Sequence, residues 1–192
     1  PELRRELIMD VLNDNPEEYM DLLKQARMNE DVEVVHYAIT AMVELSKEYD
    51  FRMQKLEKLY AASPNDPEIL KQYCDFMEEY LNQGILEAQM EKMQRERYIR
   101  MLRQKLSLKP ELHTCICLFK NLMINGDYVQ AEEVLNMIDE KWHRREEFWL
   151  LKIQYLAEQK RGNELHESLR QMKEEHIYLS SKSKEALAFW LD

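Results

Sequence analysis

The chain has 192 residues, of which 45% are hydrophobic and 33% charged, with only 3 Gly and 5 Pro. That balance excludes a disordered chain, and so few turn formers exclude a sheet protein, which needs a turn about every eight to twelve positions; Leu, Met, Glu, Lys, Gln and Ala predict an all-α fold. Net charge is −10 and uneven: residues 1–50 carry 5 basic and 13 acidic groups, whereas residues 87–109 carry 7 and 3. An acidic chain repels phosphate backbones, so nucleic acid is not an expected partner. No stretch has the roughly 18 to 20 apolar residues of a membrane span, and "PELRRELIMD" lacks the apolar core of a signal peptide. The first residue is Pro rather than Met, as expected of a processed terminus or of a piece of a longer protein, which leaves room for a membrane anchor outside it. Cys74, Cys115 and Cys117 make no disulfide framework, so a reducing, cytoplasmic setting is expected.

In chain order, "YMDLLKQARMNEDVEVVHYAITAMVEL" reads as one helix pair. Asp31 is placed to cap the second helix, and Val34, Ala38, Ala41, Met42 and Leu45 share one of its faces. The pattern resembles a HEAT-type pair, with Val35 where an Arg is usual, and residues 1–62 are assigned to it. His36 lies in the most apolar helix of the chain, which predicts a hydrogen-bonded interior histidine.

From residue 64 to 192 the three glycines, Gly84, Gly126 and Gly162, fall between apolar-periodic segments at intervals of 42 and 36 residues. That spacing is a repeat signal, each Gly supplying the positive φ that closes the first helix of a hairpin. Pro16, Pro67 and Pro110 are expected at helix starts, with Pro64 just ahead of one. Before Gly84, "SPNDPEIL" leads into a helix carrying Tyr73, Phe76, Met77 and Tyr80. After it a long helix is expected over about 85–109, with Met90, Met93, Tyr98 and Met101 on one side and Lys92, Arg95, Arg100 and Arg103 on the other, Ile99 among them. Around Gly126 the faces are Cys115, Leu118, Phe119 and Leu122, then Tyr128, Ala131, Leu135 and Ile138. The last pair, about 145–175, carries Phe148, Trp149, Ile153, Leu156 and Ala157, then Leu165, Leu169 and Met172, its Gly displaced by about a residue. A helix over 181–191 is expected to cap the array.

The Gly126 pair, with its Tyr128 and Ala131, resembles the tetratricopeptide repeat. The resemblance implies a right-handed α-solenoid of helix-turn-helix pairs, one continuous array with the first helix of each pair forming a concave wall. The wall positions are then Lys71, Cys74, Glu78 and Leu81, followed by His113, Ile116, Lys120 and Met123; the Lys residues would supply charge, and Leu81, Ile116 and Met123 apolar anchors. The basic stripe of Lys92, Arg95, Ile99, Arg100 and Arg103 is a second candidate surface, suited to an acidic partner, a sister subunit or an anionic membrane.

Catalytic signals are weak. Cys115 and Cys117 point about 200° apart on a helix, and His113 with Cys117 offers two ligands where a metal needs more. Phosphate-loop, G-x-S-x-G and H-E-x-x-H motifs are missing, and Glu17–Glu18, Glu78–Glu79 and Glu146–Glu147 are neighbours along helices, read as solvated faces. His143, His166 and His176 stand among charges and read as surface. No catalytic residue, cofactor or metal is expected.

The stretch "DVEVVHYAITAMVELSKEYDFRMQKLEKLYAASPNDPEILKQYCDFMEEYLNQGIL", followed by the tetratricopeptide-like pairs, is similar to the cytosolic repeat domain of the E subunit of the bacterial Pel exopolysaccharide machinery in its Gram-positive form. That resemblance implies a non-catalytic scaffold at the cytosolic face of the membrane, docking a cyclic-di-GMP-responsive subunit and a glycosyltransferase. No R-x-x-D motif occurs, so nucleotide binding by this chain is not expected. The alternatives are a generic adaptor unrelated to polysaccharide export, or a homo-oligomerisation domain using the long helix.

Overall fold

Two of the helix starts follow directly from side-chain chemistry: Asp31 and Asp66 each turn a carboxylate onto the backbone N–H two residues on, at 2.8 and 2.9 Å, satisfying donors that a helix leaves open at its first turn. The computed structural model describes residues 16–191, and side chains over 20–190. Among these residues the fold is all-α and helical-repeat-like, with α1 Pro16–Ala26, α2 Val32–Ala62, α3 Pro67–Asn82, α4 Ala88–Leu108, α5 Leu112–Asn125, α6 Tyr128–Trp142, α7 Glu146–Glu158, α8 Gly162–Glu174 and α9 Ser181–Leu191. Contacts divide the chain into two units between Met101 and Leu102. Glu17, Glu18 and the opening "PELRRELIMD" lie outside the described side chains.

In the first unit α2 is the longest helix. Its 31 residues span about 46 Å at 1.5 Å per residue. The expected second helix of a HEAT-like pair does not stop near Leu45 but continues to Ala62, because "SKEYDFRMQKLEKLYAA" contains neither Gly nor Pro. Ala38 and Ala41 present small side chains to Leu23 of α1, with Ala26 and Met42 packed against the cluster. Further along, Tyr49 stacks on Tyr80 of α3 at 5.2 Å between ring centres, and Tyr60 meets Tyr73 edge-on at 5.7 Å. On the opposite side of α2 Val32, Ile39 and Val43 are exposed. His36 is exposed there as well, which corrects the interior placement expected for it. A run of apolar residues reads as buried, but among the described residues α1 packs against the Ala38–Ala41 face of α2.

In the second unit α5 and α6 form the hairpin expected around Gly126. Gly126 takes φ 78°, its N–H donates to Met123 O at 3.0 Å and the next N–H, of Asp127, donates to Leu122 O at 2.9 Å. This pair of bonds is a Schellman closure, for which a left-handed residue is required. The expected faces Cys115, Leu118, Phe119 and Leu122, and Ala131, Leu135 and Ile138, are buried, whereas Tyr128 remains 38% exposed at the turn. The α7–α8 pair closes in the same way, but with a different residue. Lys160, not Gly162, has positive φ, at 55°, with Lys160 N–H to Ala157 O at 3.0 Å and Arg161 N–H to Leu156 O at 2.9 Å; Gly162 opens α8. His176 repeats the closure after α8, also at φ 55°. Pro110 stands two residues ahead of α5 rather than at its first position. Helix α9 packs on α7, burying Ser183 and Leu187, and the N–H of Ser180 donates to the Glu146 carboxylate at 2.7 Å.

Candidate functional site

The second unit presents a groove of about 640 Å³ between α5, α7 and α9. Ile116 and Lys120 reach it from α5, Leu150, Leu151 and Ala157 from α7, and Leu187 and Trp190 from α9. Why these residues line it follows from helix geometry. Each helix spends its widest apolar arc on the neighbouring hairpin, Phe119, Trp149 and Ile153 being almost wholly buried, and what remains on the flank is a narrower row of aliphatic side chains. The charged residues of the lining are Lys120 of α5 and, at opposite ends of α7, Glu147 and Glu158. Glu147 is held below the ordinary carboxylate range chiefly by its hydrogen bonds from Arg145, at 2.8 and 3.1 Å. Gln154 donates to Glu158 at 3.1 Å. The lining suits the apolar edge of a polypeptide, since most of it is aliphatic or aromatic and the two carboxylates that line it stand at opposite ends of α7.

The expected wall residues divide by exposure. Lys71, His113 and Lys120 are exposed, and Glu78 and Ile116 partly so. Cys74, Leu81 and Met123, expected to point outward, are at least 94% buried. The reason is the breadth of the apolar arc: α5 buries eight of its fourteen residues, so a position one turn-quarter from the centre of its buried face is still inside. Ile116 and Lys120 are brought together at the groove. Leu150 and Leu151, which adjoin the Phe148–Trp149 face, complete it without having been singled out in sequence, together with Ala186, Leu187 and Trp190 of the run "ALAFW" that ends the helix expected to cap the array.

The basic stripe on α4 is likewise split. Lys92, Arg100 and Arg103 are exposed, but Arg95 and Ile99 are each only 7% exposed, which corrects their placement on a solvated face. Arg95 is ion-paired to Glu91 one turn earlier, so its charge is met within the helix. Met90 and Met93 are exposed, at 46% and 55%, while Tyr98 and Met101 are buried. The long helix runs from Ala88 to Leu108, and Gly84, at φ 61°, lies in the turn ahead of it.

Two further constellations are tied into the fold more closely than charge patterning suggests. Glu79 of α3 accepts both guanidinium nitrogens of Arg52, each at 2.9 Å, and the hydroxyl of Tyr49 at 2.9 Å. Burial pushes its carboxyl up, but these hydrogen bonds and the Arg52 charge together hold it below the usual range. His143, read as surface, is part-buried against Phe148 and Trp149 and engages two carboxylates. On α5, His113 Nδ1 and Cys117 Sγ stand 3.7 Å apart, a weak contact one turn apart on the same helix.

No family model matches this chain, and no curated protein or solved structure matches it either.

Proposed function

We propose that this chain is a non-catalytic interaction scaffold, a right-handed α-solenoid whose groove on α5, α7 and α9 receives the apolar edge of a partner helix or extended peptide. The observation that carries the reading is the groove itself, about 640 Å³ in volume: the alternate helices α5, α7 and α9 contribute a mainly aliphatic and indole lining, with Lys120, Glu147 and Glu158 as its charged members. A helix laid along it would seat side chains at i, i+3 and i+7 on that lining and meet Lys120 and Glu158 at its flanks. The similarity to the repeat domain of the Pel E subunit supplies the candidate partners, a cyclic-di-GMP-responsive subunit and a glycosyltransferase at the cytosolic face of the membrane.

Co-purification with those two subunits tests the assignment. Leu150→Asp and Lys120→Glu are expected to reduce capture at least about tenfold, the effect of losing one interface anchor worth more than 1.4 kcal/mol. Capture that survives both substitutions unchanged removes the groove from the interface, and failure of the unmodified chain to capture either subunit removes the Pel assignment while leaving the scaffold reading to other partners.

A second reading, self-association through α4, has one observation in its favour: Met90 and Met93 are exposed on a single turn beside Lys92. Light scattering decides it. A mass of one chain at concentrations of about 100 μM, far above a micromolar dissociation constant, rules it out.

A further inference from the structure

His143 occupies an unusual position between helices. It is the C-terminal cap residue of α6, Asp139 lies one turn back on the same helix, and Glu175 is the C-terminal cap residue of α8. The ring nitrogens face opposite ways: Nδ1 meets the Asp139 carboxylate, and Nε2 meets Glu175 Oε2 at 2.6 Å. The imidazole lies edge-on to Trp149 of α7, 5.1 Å between centres, and 5.5 Å from Phe148. Trp149 is fully buried, and its indole N–H donates to the backbone carbonyl of His143 itself at 2.9 Å. The ring is therefore positioned by the core of the second unit and not by a mobile surface side chain.

A neutral imidazole has a single N–H, and an ionised carboxylate can only accept. With carboxylates at both nitrogens, one contact would set a lone pair against an anion; only the imidazolium, with two N–H donors, satisfies both. Two neighbouring features agree. The C-terminal end of α6 carries the negative end of its dipole, which favours a cation at His143. Glu175 stands at the C-terminal end of α8, where an anion is disfavoured unless a cation meets it; Gln171 holds its other oxygen, donating at 2.8 Å. Further cations face the cluster: Arg144, next in the chain, acts on Glu175, and Lys152 of α7 lies 5.1 Å from the Trp149 ring and 5.5 Å from that of Phe148.

We propose that His143 is a proton-operated clamp, charged at neutral pH, that ties the C-terminal ends of α6 and α8 together over the start of α7 through Asp139 and Glu175, and that lets go when it loses its proton. The direction of its titration agrees. The hydrogen bond to Asp139 first, and that to Glu175 after it, outweigh desolvation and raise the His143 pKa above its ordinary value. A raised folded-state pKa means that the clamp contributes fully below the unfolded value, about 6.5, and that its contribution is lost as pH rises through the folded value. Glu175 sets the other limit: its hydrogen bonds from Gln171 and His143 hold it below the usual carboxylate range, so the contact persists above the unfolded carboxylate value and fails in acid. The clamp is thus closed across a window from mildly acidic pH to the folded pKa of His143.

The test is a pH titration of the imidazole nitrogens in the ¹⁵N-labelled chain by long-range proton–nitrogen correlation, alongside urea unfolding at each pH. Both nitrogens of His143 should carry protons at about pH 7, with a midpoint above about 7. Glu175→Gln, which keeps the ring packed and removes one charge, should lower that midpoint by about half a unit or more. His143→Gln should flatten the dependence of the urea midpoint on pH between about 6.5 and 9, relative to the unmodified chain. A His143 midpoint at or below about 7, or one that Glu175→Gln leaves in place, overturns the clamp. Because Glu175→Gln reports through the histidine itself, the proposal stays falsifiable even where His143→Gln does not fold.

Discussion

Along α2 the helices of the first unit are joined by rings and a carboxylate, Tyr49, Arg52 and Tyr60 reaching Glu79, Tyr80 and Tyr73 of α3, whereas the α5–α6 hairpin of the second buries Ala131, Val134 and Ile138 with Cys115, Phe119 and Leu122. The first arrangement tolerates distance, since long side chains span the gap; the second requires close approach and sharp turns. The difference teaches where each unit should be sensitive. Volume changes and turn residues should dominate in the second unit, whose sensitivity to pH is concentrated at His143, and the Arg52–Glu79 charge pair in the first.

The largest expected effect breaks the second unit. Trp149→Ala removes a fully buried indole together with its bond to the His143 carbonyl, and should cost about 3–5 kcal/mol, read as a lower urea midpoint at unchanged slope. Next, Ala131→Leu inserts volume where nothing is exposed and should cost about 1–3 kcal/mol. Ala38→Leu is its counterpart in the first unit. There the facing helix, α1, has only 11 residues and packs on one side of α2, so it can shift, and the cost should fall below that of Ala131→Leu. Equal costs would erase the comparison.

Glu79→Gln sharpens the other side. The Arg52 and Tyr49 donors lose a charged acceptor, and because the side chain is 36% exposed the loss should be about 1 kcal/mol. The sign with pH is definite. A carboxyl held below its unfolded value contributes stability that is present above that value and is lost as pH falls through the folded one, so the unmodified chain should lose its advantage over Glu79→Gln in acid. A difference between the two proteins that does not change between about pH 3 and 6 would show that Glu79 contributes packing alone.

How much of this was legible in sequence depends on whether the signal was local. The helix class, the α5–α6 hairpin and the buried faces of α7 and α8 follow from periodicity and from Gly126, because those constraints act within a turn or two of the chain. His36 misled because an apolar stretch of sequence names a helix and does not name its neighbours. His143 was hidden for the opposite reason: "DEKWHRREE" reads as solvated, and the carboxylate that completes its environment is Glu175, 32 residues further on. The groove was half legible. Ile116 and Lys120 are found by counting around α5, while Leu150 and Trp190 belong to helices whose flanks acquire meaning only once α9 is seen against α7.

The smallest expected effect is also the most direct measure of the turn chemistry in the second unit. Gly126 and Lys160 close their helices with the same two hydrogen bonds, yet only one is a glycine. A Cβ at 126 meets nothing within 4 Å, so Gly126→Ala carries no clash and reads the backbone cost of φ 78° less the smaller gain from restricting the unfolded chain; it should destabilise by about 1–2 kcal/mol. Lys160 already bears that kind of cost at φ 55°. Lys160→Gly should therefore stabilise the chain, but by less, about 0.5 kcal/mol, because φ 55° lies within the small left-handed region open to other residues and the freedom that glycine gains in the unfolded chain offsets part of the strain it relieves. The two substitutions form a matched pair of opposite sign at equivalent turns, measurable by urea unfolding of each variant against the unmodified chain. If Lys160→Gly destabilised by as much as Gly126→Ala, the lysine side chain, and not the left-handed backbone, would be setting the α7–α8 turn.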